Sequence, residues 1–273
     1  MFRSILDTLT LALDKKRYLT DNIFTTERNT KRPMRRLASH KNRETDHGAF
    51  YLGGGVMRKV VFAIDGWFMR KRIYQLKAFY YTGPKIRDYC LKHLEADDYL
   101  YRIFYYDTEP LEKKGHNPIS KKHIDFGMTK VASEQRALLE SIKKTPNFAL
   151  RLGKTVWQNN EWVLHSEKLR ALLNGKISVN DLKEEDIRPV IKQKAVDMKL
   201  GLDITEIALR RIADLLVIIT GDADIVPVLK CARRNGMQVL LDPLWNPVKA
   251  DLQEHVDFVR TKIPKPVSPG VTV

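Results

Sequence analysis

The sequence predicts an α/β fold built on a mainly parallel sheet, and two apolar stretches carry this prediction. Residues 60–64 and Leu215–Ile219 are uninterrupted apolar runs of strand length. Runs of this kind, rich in β-branched side chains, are typical of strands buried on both faces, as in parallel sheets. Each run is followed within three residues by a glycine and an aspartate. The glycine lets the backbone turn tightly, so each strand is predicted to end at a polar turn.

Composition bounds the class of protein. The chain has 273 residues, of which 43% are hydrophobic and 30% charged, as in soluble globular proteins. No apolar run approaches the roughly 20 residues that span a bilayer, which predicts no membrane partner. Only two cysteines occur, with no disulfide or metal-binding pattern, so we expect a cytoplasmic location. The net charge of +15 favours a polyanionic partner, and nucleic acid is preferred to a membrane surface.

Charge and glycine content divide the chain into three parts. Residues 1–56 are basic and polar and end in three consecutive glycines, which predicts a mostly disordered extension with a flexible junction. A further hypothesis is that translation begins at Met57, where the organised sequence starts. Residues 57–262 are predicted to form the folded domain. Residues 263–273 contain three prolines and are predicted to form a disordered tail.

Helices and strands are predicted to alternate along the domain. Periodicity and capping signals favour helices over residues 67–79, from Thr82 onwards, and over residues 128–143, 196–212, 226–235 and 251–255. Strands are expected at residues 99–106, 238–241 and 256–259, and a loop at residues 108–125. Residues 166–188 are charged and are interpreted as an insertion that is helical or irregular.

Residues 148–164 are predicted to form a hairpin that turns at Asn159 and Asn160. Trp157 and Trp162 would face each other across it. They are interpreted as structural packing, with base stacking as the less favoured alternative. The same two alternatives apply to Tyr105 and Tyr106 in the aromatic strand before Asp107.

Aspartates at the strand ends suggest a site. Asp65 follows the first apolar run, and Asp222 and Asp224 follow the second. Ligands of open α/β sheets bind at the carboxyl ends of the strands, and clustered carboxylates there require a cation or a basic partner. Hard divalent cations take such oxygen ligands. The alternative is that an aspartate only caps the next helix. Because two separate strands end in this way, capping alone is the weaker explanation.

Two further aspartates lie on the helix that precedes the second apolar run. Asp197 would occupy the first turn, where the helix dipole favours a carboxylate and the side chain can face the sheet edge. Asp203 follows six residues later, about 600° around the axis, and should not share the face of Asp197. For either residue the alternative is an ordinary solvated charge.

The order of these motifs resembles that of NYN domains. The matching segments are VVFAIDG ending at Gly66, YYD ending at Asp107, KAVD ending at Asp197 with Asp203 after it, TGDADI at residues 220–225, GMQV at residues 236–239, and Leu252 with Asp257 and Phe258. The chain is similar to LabA-like members of this family, within the PIN-like nuclease superfold, over residues 57–262.

The resemblance implies a three-layer αβα sandwich of PIN-like, Rossmann-like type, a bound Mg²⁺ or Mn²⁺, and hydrolysis of RNA. It assigns the catalytic and metal-binding carboxylates and one supporting residue: Asp65, Asp197, Asp222 and Asp224, supported by Asp203. Many members carry an asparagine where this chain has Phe68. That departure leaves open an RNA-binding regulatory module with little or no turnover.

Basic side chains near the predicted strand ends are expected to contact the RNA backbone, or else to form a solvated surface; they are Lys192, Lys194, Arg70 and Lys71. A phosphatase of the haloacid-dehalogenase type is disfavoured, because its nucleophilic aspartate is followed two residues later by an acid and Trp67 stands there. No motif supports a serine or cysteine hydrolase. The sequence therefore predicts a metal-dependent endoribonuclease.

Overall fold

A computed structural model describes residues 57–266 of the chain. The predictions for residues 1–56 and for the last seven residues lie outside this range and stay predictions. Nine strands are described: Arg58–Asp65 (β1), Asp98–Thr108 (β2), Lys114–His116 (β3), His123–Asp125 (β4), Phe148–Leu164 (β5), Ile187–Lys194 (β6), Leu215–Ile219 (β7), Gln238–Asp242 (β8) and Phe258–Val259 (β9).

Seven α-helices connect these strands. They are Gly66–Leu76 (α1), Gly83–Leu91 (α2), Lys130–Lys143 (α3), Ser166–Leu173 (α4), Val196–Leu209 (α5), Val226–Arg234 (α6) and Ala250–Glu254 (α7). No helix within residues 57–266 is both long and apolar enough to cross a membrane.

The main sheet has the strand order β6-β5-β2-β1-β7-β8-β9. All neighbouring pairs are parallel except β5 and β6, which run antiparallel. The predicted α/β class with a mainly parallel sheet is therefore confirmed. Strands β3 and β4 form a separate antiparallel pair.

Helices cover both faces of the sheet, as alternate side chains of β1 show. Val60, Phe62 and Ile64 pack with apolar residues of α1, α2 and α3. Val61 and Ala63 face the opposite way and pack with α5, α6 and α7. Side chains alternate between the faces of a strand, so an uninterrupted apolar run fills two cores at once. The result is a three-layer sandwich, consistent with the PIN-like architecture.

The topology places a switch point beside β1. From β1 the chain adds strands outward on one side, to β2, β5 and β6, and then returns to β7 on the other side of β1. In open α/β sheets, ligands bind in the crevice outside the carboxyl ends of the strands at such a point. That crevice lies between the ends of β1 and β7.

The predicted hairpin at residues 148–164 is wrong. The segment is one long strand, β5, whose antiparallel partner is β6. Asn159 and Asn160 adopt the left-handed conformation of a hairpin turn, but they form a bulge between Trp157 and Trp162. Opposite this bulge β6 carries Pro189, which has no N–H to donate to a regular ladder.

Other boundaries differ less. Part of the predicted loop at residues 108–125 forms β3 and β4, and β6 was not predicted because its sequence is mixed and largely exposed. The large aromatics are core residues as favoured: Tyr105, Tyr106 and Trp157 are buried, and Trp157 packs edge-on against Trp162 with ring centroids 5.7 Å apart.

Candidate functional site

A cavity of about 540 Å³ lies at the switch point of the sheet. Its volume falls within the range of small-molecule sites in proteins. Its lining combines carboxylates, amides, cations and aromatic rings: Asp65, Trp67, Phe68, Lys71, Arg72, Gln75, Gln193, Val196, Asp197, Gly221, Asp222 and Asn246. Three of the four aspartates predicted as metal ligands therefore share one cavity, although they come from β1, α5 and the turn after β7.

Asp65 ends β1 and also caps α1. Its Oδ1 accepts a hydrogen bond of 3.0 Å from the backbone N–H of Phe68. Burial, with smaller contributions from the nearby carboxylates of Asp197, Asp107 and Asp222, raises the pKa of Asp65 to about 6 against the effect of this hydrogen bond. The fold therefore holds a carboxylate where its negative charge is disfavoured. A bound cation at this position would restore the charged form.

Asp197 occupies the first turn of α5, as predicted. The residue at the start of this helix, Ala195, has a φ of 67°. This left-handed conformation is uncommon for a residue with a Cβ and turns the chain sharply from β6 into α5. Burial raises the pKa of Asp197, and the charges of Asp222 and Asp224 add to the effect.

Asp222 and Asp224 follow β7 in a single turn. The Asp222 carboxylate accepts a hydrogen bond of 3.0 Å from the N–H of Asp224, so it caps the short turn Ala223–Ile225 and lines the cavity as well. The capping and site interpretations are thus compatible for this residue. Asp224 does not line the cavity, but it lies close enough to raise the pKa of Asp197.

Asp203 lies elsewhere on α5, as its helical phase predicted. Its carboxylate accepts hydrogen bonds from Arg151 at 2.7 Å and from the Tyr106 hydroxyl at 3.1 Å. It does not line the cavity. These partners lie on β5 and β2, so Asp203 connects α5 to the sheet. A supporting role for Asp203 would therefore be to position helix α5.

Only one of the four predicted RNA-binding cations, Lys71, lines the cavity. Arg70 donates to the buried carboxylate of Asp107 at 2.9 Å. Lys192 and Lys194 flank Gln193, which does line the cavity. Neighbouring side chains of a strand point to opposite faces, so these two lysines face away from it. Their role in RNA binding stays a prediction.

Several cavity residues were not predicted from the sequence. Trp67 and Gln75 lie four residues before and after the predicted Lys71 and form one stripe with it along α1, a periodicity that could have identified them. Gln193 and Asn246 carried no comparable signal. Asn246 lies in the loop after β8, whose residues Leu244 and Trp245 both have positive φ angles.

Phe68 fills the position where the resemblance suggested an asparagine. Its backbone N–H holds Asp65, and its ring lies so close to Gly221 that a Cβ there would come within 2.5 Å of it. Phe68 therefore packs the turn that carries Asp222. An amide is nonetheless present in the cavity, because Asn246 contributes one from the opposite loop.

The donor set suits a hard divalent cation. Mg²⁺ retains several waters and is commonly held by one or two carboxylates together with substrate phosphates, so its ligands need not crowd together. Within residues 57–266 the one group of three potential ligands whose atoms lie within 4.8 Å of one another is Asp251, Glu254 and His255. The cavity carboxylates are therefore more widely spaced than that group, which lies on the surface around α7.

Comparison with known proteins supports an NYN domain. The NYN domain family model matches residues 124–253. This range runs from β4 into α7 and includes Asp197, Asp222 and Asp224. The match supports the interpretation of the chain as an NYN domain protein, and the LabA-like subtype stays a prediction.

More distant comparisons add little. No curated protein is significantly similar to the chain in sequence. A crystal structure of a protein of unknown function from Vibrio parahaemolyticus RIMD 2210633 covers 76% of this chain and 94% of its own, with 10% identity and a TM-score of 0.40. A likeness at this level carries no conclusion about function.

Proposed function

We propose that this NYN domain protein is a metal-dependent endoribonuclease that hydrolyses RNA phosphodiester bonds. The observation that carries the proposal is the meeting of Asp65, Asp197 and Asp222 in one cavity at the switch point of the sheet. These residues are far apart in sequence and lie on three different elements. NYN domains are generally nucleases, which supports the same activity.

The carboxylates have a direct chemical role in this proposal. Asp65, Asp197 and Asp222, with Asp224 beside them, hold a divalent cation, Mg²⁺ or Mn²⁺. When bound, such a cation lowers the pKa of water and stabilises the charge that develops on a phosphate. Burial and mutual repulsion raise the pKa values of Asp65 and Asp197, so the charged carboxylates are unfavourable on their own and favour cation binding.

A phosphate must approach an acidic pocket, and basic residues on one wall compensate the repulsion. Lys71 and Arg72 both line the cavity on α1. The Arg72 guanidinium donates to the Leu244 carbonyl at 2.8 and 3.1 Å, which fixes its position. Lys71 carries its charge on a flexible four-carbon chain, and it is the residue we assign to the substrate phosphate.

The test is cleavage of labelled RNA by the purified full-length chain in Mg²⁺, Mn²⁺ or EDTA. Asp222→Asn should lower the cleavage rate at least ~100-fold, because it removes a charge that holds the cation. The matched control is Asp251→Asn, which changes an exposed aspartate of the surface group and should cleave at the wild-type rate. Cleavage that persists in EDTA or in Asp222→Asn contradicts the proposal.

The second candidate is an RNA-binding regulatory module without useful turnover. Phe68 favours it, because an apolar ring stands where many NYN domains carry an amide. Binding of RNA by the wild-type chain with no cleavage under any metal condition would support this second function. Asn246 favours the nuclease proposal, because it places an amide in the same cavity.

A further inference from the structure

The lining of the cavity is of two chemical kinds. One kind is the carboxylates of Asp65, Asp197 and Asp222. The other combines an indole, two cations and three amides: Trp67, Lys71, Arg72, Gln75, Gln193 and Asn246. A metal and a phosphate account for the first kind. The second kind suits a ligand that is flat, partly apolar and rich in hydrogen-bonding groups.

Trp67 is the main apolar surface among these non-acidic residues. Its side chain is 49% exposed, although a tryptophan on a core-facing helix normally buries its ring. The following residue, Phe68, is buried and takes the packing role. Trp67 is therefore free of a core function and presents its ring beside the carboxylates.

Lys71 gives this indole a cationic neighbour. Its Nζ lies 4.9 Å from the ring centroid of Trp67, at cation–π distance. Trp67, Lys71 and Gln75 are spaced four residues apart, so they form a stripe about 12 Å long on one face of α1. The stripe begins two residues after Asp65, which caps the helix, and runs along α1 away from that carboxylate.

We propose that this stripe is a nucleobase subsite, in which Trp67 stacks on the unpaired base next to the scissile phosphate. The inference rests on the proposed function and names the substrate class more closely: the RNA must be single-stranded where it enters the cavity. A base in a duplex is covered on both faces by its neighbours and cannot stack on a side chain. The amides of Gln75 and Asn246 line the same cavity and offer donors and acceptors for the edge of a base.

The test is RNA affinity in EDTA, where binding is measured without metal-dependent cleavage. A labelled single-stranded RNA and the same RNA annealed to its complement are titrated with wild type, Trp67→Ala, Trp67→Phe and Tyr74→Ala. Tyr74 is the matched control, because it lies on the same helix, is 84% exposed and does not line the cavity.

Loss of one stacked base should weaken single-strand binding by about 5- to 150-fold in Trp67→Ala, as expected for base–aromatic stacking. Trp67→Phe should retain most of the affinity, Tyr74→Ala should bind like wild type, and duplex affinity should change little. The inference is overturned if Trp67→Ala loses no more than Tyr74→Ala, or if single-strand and duplex binding fall equally.

The same variants, assayed for cleavage in Mg²⁺, separate this inference from the proposed function. If single-strand binding depends on Trp67 but neither wild type nor any variant cleaves RNA, the proposed nuclease activity is overturned and the base subsite is retained. Asp222-dependent cleavage at an unchanged rate in Trp67→Ala would overturn the subsite and leave the nuclease.

Discussion

Asp65 combines a structural and a chemical role in one side chain. Its carboxylate caps α1 through the Phe68 N–H, which stabilises the helix. The same carboxylate lines an acidic cavity, where burial raises its pKa from 3.8 to about 6. An N-cap favours the charged oxygen, whereas burial disfavours it, and burial is the larger effect here. The residue is held at this position by the helix that it caps.

The first prediction at the residue scale concerns Asp65→Asn and pH. Because the pKa of Asp65 is higher in the folded than in the unfolded chain, its contribution to stability is full below pH 3.8 and is lost as the pH rises through about 6. Metal-free Asp65→Asn should therefore be more stable than wild type at pH 7.5, by about 1–3 kcal/mol. Asparagine also caps helices well, so the cap survives.

Chemical denaturation in EDTA at pH 4, 5, 6 and 7.5 measures this difference. The gain should shrink as the pH falls towards 4, and added Mg²⁺ should stabilise wild type more than Asp65→Asn. Asp251→Asn serves as the control, since its carboxylate is exposed. A stability difference between Asp65→Asn and wild type that is the same at every pH would contradict a raised pKa for the buried Asp65 carboxylate.

Asp222 shows why a cap and a site should not be treated as exclusive alternatives. Its Oδ1 accepts from the N–H of Asp224, and its side chain also borders the cavity. A carboxylate has two oxygens with several lone pairs, so one interaction leaves capacity for another. Asparagine retains an oxygen that can cap the turn. The Asp222→Asn variant in the cleavage test therefore loses the negative charge while the turn is preserved.

At the scale of elements, the junction of β6 and α5 decides where Asp197 lies. Gly153 of β5 packs against this junction: a Cβ there would come within 2.4 Å of the Lys194 carbonyl oxygen and 2.7 Å of a Val196 methyl group. Beside it Ala195 makes the left-handed turn into the helix. Non-glycine residues in that conformation persist only where the surroundings enforce it, and they often occur at functional sites.

The prediction at this scale is that Gly153→Ala moves Asp197. The added methyl meets backbone rather than a flexible side chain, so the junction must shift, at a cost of about 1–3 kcal/mol in unfolding free energy. RNA cleavage should fall more than tenfold while the protein stays folded, because near-ångström displacement of a reactive group is costly.

Gly127→Ala is the control, since its nearest contact would be an ordinary 3.4 Å. Thermal unfolding and cleavage rates are measured on both variants. Full activity in Gly153→Ala would show that the junction tolerates the methyl group and that Asp197 does not depend on it.

Helix α1 illustrates how one element serves both packing and recognition. Met69 and Ile73 face the core, Trp67, Lys71 and Gln75 line the cavity, and Phe68 packs in the core while also bordering the cavity. Two faces of the same short helix thus carry different periodic sets. The loop after β8 faces this helix, and the bonds from Arg72 to the Leu244 carbonyl hold the two together. Asn246 reaches the cavity because of this contact.

At the scale of the whole molecule, the chain has a net charge of +15, and the proposed site is a cavity lined by three aspartates. Lys154 and Lys194 stand directly opposite each other on β5 and β6. Like charges so placed repel, and a bound polyanion would relieve the repulsion.

The prediction at this scale tests the two lysines of β6. With about four phosphate contacts, RNA affinity should fall roughly 50-fold between 50 and 200 mM salt. If Lys192 and Lys194 contact the backbone, Lys192→Gln/Lys194→Gln should lower the slope of log affinity against log salt by about 1.4. The control is Lys85→Gln/Lys92→Gln, at exposed positions around α2. If the slope of log affinity against log salt is equal in both double variants, Lys192 and Lys194 do not contact the RNA backbone.

The sequence by itself determined the α/β class, the buried strands β1 and β7, and the presence of aspartates at their ends. These features are local, because an apolar run of strand length and the turn residues after it are read within a few positions. The position of Asp197 in the first turn of α5, and the separation of Asp203 from it, also followed from helical geometry alone.

Only the tertiary structure decided which residues share the cavity. The pairing of β5 with β6 turned an expected hairpin into a long strand, because an Asn-Asn pair can form a bulge as readily as a turn when another strand is available. Gln193 and Asn246 reach the site from segments without periodicity, and Arg70 is diverted to Asp107. Contacts between residues distant in sequence depend on strand order and packing, which no local pattern encodes.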